Sequence, residues 1–512
     1  MTSPAPEPGA RLRRHGRRIA LGLAAAALCG CAVGPDFKAP DAPKAERYTA
    51  APMPERTASA DIAGGDAQKF VNGADIPAQW WALFHSDRLD ALVAQALKAN
   101  PTVEAAQAAL RQAHESRLAE QGSLFPSLDG SASGTRQKVN GASFGQPGTS
   151  FMYSLFNTSV NVSYALDVFG GVRRQVEAQA ALEEYQRFQL EATYLSLSAN
   201  VVTAAIQQAS LRAQIAATQD IIEADRKELE VVKHQFELGG VSRADVLAQQ
   251  TQLAQEQATL PPLRKQLDQN RNLLAVLAGQ LPGDPLDAQF ELIELRLPQE
   301  IPVSVPSHLV EQRPDVRAQT ALLHQASAEV GVATANMLPK LSITGQLGGT
   351  SGQIEHLLDA GNGIWSVGAG ISQPLFQGGA LLHQRRAAVA AYDEAAAQYR
   401  GTVLTAFQNV ADSLRALDTD ADALQSQLQA KQAAAASLEL AGRQFEAGAV
   451  SYLSLLSAQR AYHQTRIALV QAQAARYADT VALFQSLGGG WWNRNGAGDA
   501  AGGTQMRGAA GP

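Results

Sequence analysis

Cysteine is nearly missing from this chain, which has only Cys29 and Cys31 in 512 residues. One pair cannot supply a disulfide framework or a cysteine-rich metal site. The nine histidines are scattered, with no His-Glu-x-x-His spacing. Gly141-Ala-Ser143-Phe-Gly145 has the spacing of a serine nucleophile elbow, but Gln-Pro-Gly follows it where a helix is required. These absences argue against an enzyme and leave no candidate catalytic residue, metal site or cofactor. No basic patch interrupts a formal net charge of −6, so nucleic acid is not an expected partner. Past the first thirty residues no apolar run is long enough for a transmembrane helix. Entry into a bilayer would therefore require a β-barrel.

The amino terminus is distinctive. Arg11, Arg13, Arg14, Arg17 and Arg18 precede an apolar run from Ile19 to Leu28, then Leu28-Cys29-Gly30-Cys31. A basic segment, a short apolar stretch and small residues make a secretory signal peptide, here 1–30. The tetrapeptide resembles the bacterial lipobox, whose cysteine becomes the acylated first residue of the mature chain. Cys31 is therefore the expected lipidation site; Ala32 after it lacks the Asp that would resemble an inner-membrane retention signal. Cleavage would remove five arginines and one glutamate, taking the net charge to about −10. The single remaining cysteine could form no intrachain disulfide, so an exported chain of this size must rely on packing and assembly.

The remainder is written twice. Asn100-Pro101-Thr102-Val103 through Leu124-Phe125-Pro126-Ser127-Leu128 aligns without a gap on Arg313-Pro314-Asp315-Val316 through Leu338-Pro339-Lys340-Leu341. Phe169-Gly170-Gly171 then matches Phe376-Gln377-Gly378-Gly379. Phe236-Glu237-Leu238-Gly239-Gly240-Val241-Ser242 matches Phe445-Glu446-Ala447-Gly448-Ala449-Val450-Ser451. Three landmarks recurring in one order signify an internal repeat. The expected divisions are an extended segment at 31–85, a first repeat at 86–281 and a Pro-rich connector at 282–306. A second repeat at 307–487 and a disordered tail at 488–512 complete the chain. Strands are expected within 125–169 and 339–376, and long helices within 172–279 and 379–486.

Proline is absent from 172–260 and again from 375–511, stretches rich in Ala, Gln, Leu and Glu. Tyr392, Ala396, Tyr399, Val403, Phe407, Val410, Leu414, Leu417, Ala421, Leu424 and Leu428 are spaced by about three and four residues, the pattern of a coiled-coil seam. Tyr185, Phe188, Ala192, Leu195, Ala199, Val202, Ile206 and Ala209 repeat it in the first copy. A helix from Val172 to Leu238 would be on the order of 100 Å long. The alanines between seam residues allow close approach on more than one side, as a closed wall of helices requires.

Four segments alternate with period two. Val160, Val162, Tyr164, Leu166 and Val168 oppose Asn161, Ser163, Ala165 and Asp167. Trp365, Val367, Ala369 and Ile371 oppose Ser366, Gly368, Gly370 and Ser372, while Leu341, Ile343 and Leu347 oppose Ser342, Thr344 and Gln346. Leu128 to Thr135 is a weaker fourth. Strands of about ten residues bounded by aromatics suit an outer-membrane barrel. Phe125, Phe169 and Phe376 would mark one girdle, Phe156 and Trp365 the other, with extracellular loops near 140–148 and 350–363. Four strands cannot enclose a water-filled pore, and open edges are not tolerated in hydrocarbon. Other copies of the chain must complete them, although this reasoning does not choose how many.

Cys31-Ala-Val-Gly-Pro-Asp-Phe37, Trp80-Trp81-x-x-Phe84, Gln312-Arg-Pro-Asp-Val-Arg317, Gln373-Pro-Leu-Phe-Gln-Gly-Gly379 and Leu487-Gly-Gly-Gly-Trp491 together resemble the outer-membrane factor (TolC-like) family of tripartite efflux systems, in particular its NodT-type lipoproteins. The resemblance implies a mostly α fold with a β-barrel part. Each helix–strand–strand–long helix–helix unit is duplicated, and the chain forms one third of a trimeric, 12-stranded β-barrel with a periplasmic α-helical barrel. It implies a homotrimer in outer-membrane lipid, a periplasmic adaptor (membrane fusion) protein and an inner-membrane transporter of the RND type. The protein would be a passive exit duct for efflux, lipid-anchored in the outer membrane and gated at its periplasmic tip. By position, the gate residues would be Val241, Arg243 and Asp245 after the first turn, and Leu453, Ser457 and Arg460 after the second. Leu453 falls at a hydrophobic gate position and Arg460 at a basic one. Ser457 stands where many relatives carry Asp, which puts a full acidic ring in doubt. Local alternatives stay open: Asp245 as a helix N-terminal carboxylate, Leu453 as coiled-coil packing. A type I protein secretion channel, or a periplasmic coiled-coil adaptor, is the alternative function.

Overall fold

A computed structural model describes residues 32–145, 147–286 and 288–494. The signal peptide expected at 1–30 and the expected lipidation site Cys31 lie outside the described residues. The secondary structure repeats the duplication with equal lengths. Ahead of the first copy are β1 (Lys69–Asn72) and a short 3-10 turn, Trp80–Phe84. There follow α1 (Asp87–Ala99), α2 (Pro101–Gly122), β2 (Ser127–Asn140), β3 (Ser150–Leu166), α3 (Gly171–Glu237) and α4 (Arg243–Leu277). After β4 (Glu300–Val303) the second copy gives α5 (Leu309–Gln312), α6 (Pro314–Ala335), β5 (Lys340–Ser351), β6 (Gly363–Ser372), α7 (Ala380–Glu446) and α8 (Tyr452–Ser486). Helices α2 and α6 both have 22 residues, α3 and α7 both 67, and α4 and α8 both 35. The copies differ instead in their strands and in the opening helix, which has 13 residues in α1 and 4 in α5.

Pro101 and Pro314 each sit at the first helical position, where a missing N–H costs nothing. Of the expected seam, Tyr399, Val403, Val410, Leu414, Leu417, Ala421 and Leu424 are buried, as are Phe188, Ala199, Val202, Ile206 and Ala209. Between Leu197 and Leu211 only Asn200, Thr203 and Gln207 are exposed. Small residues let α3 pack there on nearly its whole circumference.

The chain forms two compact units. One runs up to Pro40 and includes Leu110–Gln186 and Gln319–Tyr399. It contains an antiparallel sheet in the order β2-β3-β5-β6. The registers Val160↔Leu347, Tyr164↔Ile343, Leu347↔Trp365 and Ile343↔Ala369 gather the apolar rows on one face. Those rows are unburied: Val367 and Ile371 are exposed, as is Trp365. Strands β2 and β3, at 14 and 17 residues, exceed the expected ten. Phe156 consequently lies within β3, opposite Gly134 and Ser351, and not at a strand end. Phe151 and Tyr153, their rings 6.2 Å apart, stand nearer the hairpin. Gly141–Phe144 forms a short 3-10 turn in that hairpin, with no helix following.

Residues 32–37 are docked in this unit. Val33 N donates to the Phe169 carbonyl at 3.0 Å. Gly34, at φ +99°, passes so close to Gly331 that a Cβ on it would come within 2.4 Å of the Gly331 Cα. Arg174 donates to Asp36 at 2.6 Å and Glu177 at 2.7 Å. His324 meets Glu177 at 2.9 Å and stacks on Phe37 at 4.3 Å.

The second unit comprises Asp41–Ala109, Arg187–Ala318 and the chain from Arg400. The segment at 31–85, expected to be extended, and the Pro-rich connector at 282–306 contribute the parallel pair β1 and β4, with Phe70 opposite Ile301. Helix α8 anchors both. Fully buried Arg476 donates to the carbonyls of Gly64 and Asp66, and Tyr477 Oη donates to the Leu295 carbonyl at 2.8 Å. The expected disordered tail at 488–512 is corrected for its first part. Gly488, Gly489 and Gly490 take positive φ and turn the chain back. Trp491 Nε1 then donates to the Gln312 carbonyl at 2.6 Å and Trp492 Nε1 to Asp75 at 2.9 Å, with Arg494 paired to Glu191. Residues 495–512 lie outside the described residues.

Candidate functional site: the helical turns of the second unit

Both long helices end in the same turn. Gly239 and Gly448 adopt φ +72° and +68°. Gly240 N donates to the Gln235 carbonyl and Ala449 N to the Gln444 carbonyl, each at 2.8 Å. A left-handed residue with this long return bond satisfies carbonyls that a helix end leaves open. Beneath the turns Val232, Tyr452, Leu455 and Leu456 form a buried apolar cluster, joined by Val241, Val246, Leu438 and Phe445. Phe445 meets Tyr452 edge-on at 5.5 Å.

The two restarts differ. Ser242 caps α4, and Asp245 accepts from the Ser242 amide at 2.9 Å and its hydroxyl at 2.7 Å, a full capping box. Ser451 caps α8 without a side-chain bond to the backbone, because the matching position is Ser454. Asp245 thus has the local task that its helix-start position allows. Val241 is half-buried in the cluster, whereas Arg243 is exposed. Tyr452, Leu455 and Leu456 bury one face of α8. Leu453, 62% exposed, and Ser457 lie on the other, and Ser457 Oγ donates to the Leu453 carbonyl at 2.9 Å. Within one chain Leu453 does not pack in a coiled-coil core. The six residues do not converge on one point: Val241 and Asp245 serve the first turn, while Leu453 and Ser457 form an uncovered face on the second.

Arg460 reaches a polar layer that the sequence did not flag. Its Nε donates to Gln252 Oε1, and Gln252 Nε2 donates to Glu256 at 2.9 Å. One layer nearer the turn, Tyr452 Oη donates to Gln249 Oε1 at 2.8 Å, and Gln249 Nε2 to the Asp225 carbonyl at 3.1 Å. These bonds tie α8 to α4 and α4 to α3. Gln249 is completely buried, so both halves of its amide must be satisfied in place. Asp225 is 1% exposed and its Oδ2 has no hydrogen-bond partner. Burial pushes its carboxyl up to about 7; Glu256 and Glu228 add to the rise and Arg460 opposes it. Burial also raises Glu256, against its bond from Gln252 and the charge of Arg460. Asp225 and Gln249 could have been found from sequence only as polar residues on a buried helical face, a pattern that surface glutamines in these Gln-rich helices also produce.

The arrangement holds no nucleophile–base pair. Among the described residues no group of three or more His, Cys, Asp or Glu could hold a metal ion, and no helix is long and apolar enough to cross a membrane.

Known proteins share this build. The family model described as outer membrane efflux protein matches residues 92–280 and 305–489, one match on each copy of the repeat. The antibiotic efflux pump outer membrane protein ArpC of Pseudomonas putida is 30% identical over 483 residues, 93% of this chain and 96% of ArpC. The pyoverdine export outer membrane protein OpmQ of Pseudomonas aeruginosa is 31% identical over 423 residues, 81% of this chain and 87% of OpmQ. Among solved structures, the outer-membrane channel OprN superposes with a TM-score of 0.80 at 28% identity, covering 90% of this chain and all of OprN. The Campylobacter jejuni CmeC channel gives 0.80 at 23% identity over 92% of this chain and 98% of its own, a likeness of fold.

Proposed function

This chain belongs to the outer membrane efflux protein family, and from that premise we propose that its two helical turns are the periplasmic gate of an efflux exit duct. The protein is an outer-membrane component of an efflux pump, with the β-barrel and helical-barrel fold of its family. In our reading three copies complete the barrel, Cys31 carries the lipid anchor, and a periplasmic adaptor and RND transporter deliver cargo. The duct itself supplies no energy. Relatives are named for cargos as different as antibiotics, toluene and pyoverdine, which fits selection by the transporter.

The observation that carries the gate is the uncovered face of α8. Leu453 is a large apolar side chain left exposed next to a well-packed core. An apolar residue so placed is accounted for by its counterparts from neighbouring copies, meeting across a narrow axis. The ties from Tyr452 and Arg460 to α4 hold α8 inward. Adaptor binding would favour a state in which those ties are broken and α8 has moved out, a population shift between two packings. Planar-bilayer conductance tests this. Replacing Leu453 and Arg460 by Ala together should raise the resting conductance; an unchanged value refutes the assignment.

A further inference from the structure

The segment between β5 and β6 carries an apolar surface that the efflux function does not use. It joins the strands at the end remote from α2, α3, α6 and α7, and so lies on the extracellular side of the barrel. The segment is ordered by its own bonds. His356 Nδ1 meets Asp359 Oδ2 at 2.8 Å, Asn362 Nδ2 donates to the His356 carbonyl at 2.6 Å, and two 3-10 turns, Ile354–His356 and Ala360–Asn362, frame it. It does not stand up from the barrel but folds back against the sheet. A Cβ on Gly349 would come within 2.3 Å of the Leu357 carbonyl oxygen, so glycine there is what lets the two backbones meet. The shallow groove between them is lined by Val160 and Leu347 from the strands and by Leu357 and Leu358 from the segment. Val160 and Leu347 belong to the apolar row, paired with each other and continued by Trp365 on β6. The segment therefore lies on the apolar face of the sheet.

On that face it turns apolar side chains outward. Leu358, 86% exposed, lies beside exposed Leu347, and Ile354 on the same short stretch is 61% exposed, while Glu355, His356 and Asp359 supply polar groups there. An ordered segment that leaves its leucine and isoleucine out is ill-suited to water and well suited to the boundary between acyl chains and headgroups. We infer that Gln353–Asn362 is a membrane-contact segment: Leu358 dips into the outer leaflet and adds to the lipid-facing belt over the upper part of β3 and β5. The occupant is lipid because the patch continues the row that the barrel turns to hydrocarbon. It lies over the central strands β3 and β5, so pairing of the edge strands β2 and β6 with other copies would leave it uncovered. The inference rests on the barrel reading, and the test separates the two.

Leu358→Cys, labelled with the fluorophore NBD in the full mature chain, is reconstituted into phosphatidylcholine vesicles with or without lipids spin-labelled high on the acyl chain. Val367→Cys, at mid-strand on the same face, is the lipid-facing control, and Ala142→Cys in the other hairpin is the aqueous one. The parent chain, treated alike, gives the background. The expected result is blue-shifted emission at 358, with loss of most of it to the spin label and little to aqueous iodide. Quenching of 358 by iodide, with 367 quenched by lipid, overturns the inference and leaves the barrel intact. Blue-shifted emission at 358 reached by neither quencher means a protein covers the segment, and also overturns it. If 367 escapes the lipid quencher, the barrel reading itself fails and the inference falls with it.

Discussion

Removing the Tyr452 hydroxyl is the sharpest test of the gate. The hydroxyl donates to Gln249 Oε1 inside a completely buried site, and the same amide's Nε2 is already committed to the Asp225 carbonyl. Tyr452→Phe keeps the ring against Phe445 and strands one buried oxygen. An oxygen left so costs about 1–3 kcal/mol, against a net ~1 kcal/mol for an ordinary hydrogen bond. If opening breaks this tie in each of three copies, the closed state loses roughly 3 kcal/mol or more, and each 1.36 kcal/mol is about tenfold in population. Single-channel recording should then show Tyr452→Phe open about a hundredfold more often than wild type. Tyr452→Phe with Gln249→Leu removes both partners of this bond and leaves no stranded oxygen, but it also deletes the bond from Gln249 Nε2 to the Asp225 carbonyl, so it should recover only part of the lost folding stability. It should remain open, because the link from α8 to α4 is gone. Resting conductance of Tyr452→Phe equal to wild type, together with zero coupling in the double-mutant cycle, would refute the reasoning.

Three further outcomes follow from the same geometry. Asp225 ionises near 4 in an unfolded chain but is held protonated to about 7 when buried; its contribution to stability therefore falls as pH rises from about 4 to 7 and is flat above. Asp225→Asn should come close to wild type in thermal melts at pH 4 and exceed it at pH 8; a wild-type-like difference between the two pH values in the variant would contradict this. Gly34→Ala places a Cβ against the Gly331 backbone at a positive φ and should release the docked leader, seen as faster protease cleavage between Lys38 and Arg47, with the sheet intact by circular dichroism. Truncation after Leu487 should lower the melting temperature below that of a chain ended at Arg494, because Trp491 stacks edge-on against Phe188 and bonds the Gln312 carbonyl.

The duplication, the long rods and the strand faces were legible because each is a local periodicity that the sequence repeats. The coiled-coil seam from Tyr399 to Leu424 is buried as its spacing demands, with Phe407 half-buried, and the apolar rows of β3, β5 and β6 come into register. The start of the disordered tail was set too early, at 488, because three successive glycines carry no local signal of order. In the folded chain the same glycines make a hairpin that seats two tryptophans. Phe156 was placed at a strand end because an aromatic looks the same at a girdle and in mid-strand, and only the pairing register distinguishes them.

Residue spacing by itself determined that this chain is a repeated set of rods and staves, since helix and strand periods, proline gaps and turn glycines act over a few neighbours. Which polar residues on those rods are buried was decided by tertiary structure alone. Gln249 bonds Asp225 and Tyr452 across 24 and 203 residues of chain, and a glutamine's role depends on whether its face of the helix meets water or another helix. The same holds for Leu358: its exposure on the apolar side of the sheet follows from the close approach at Gly349, a contact that no local pattern encodes.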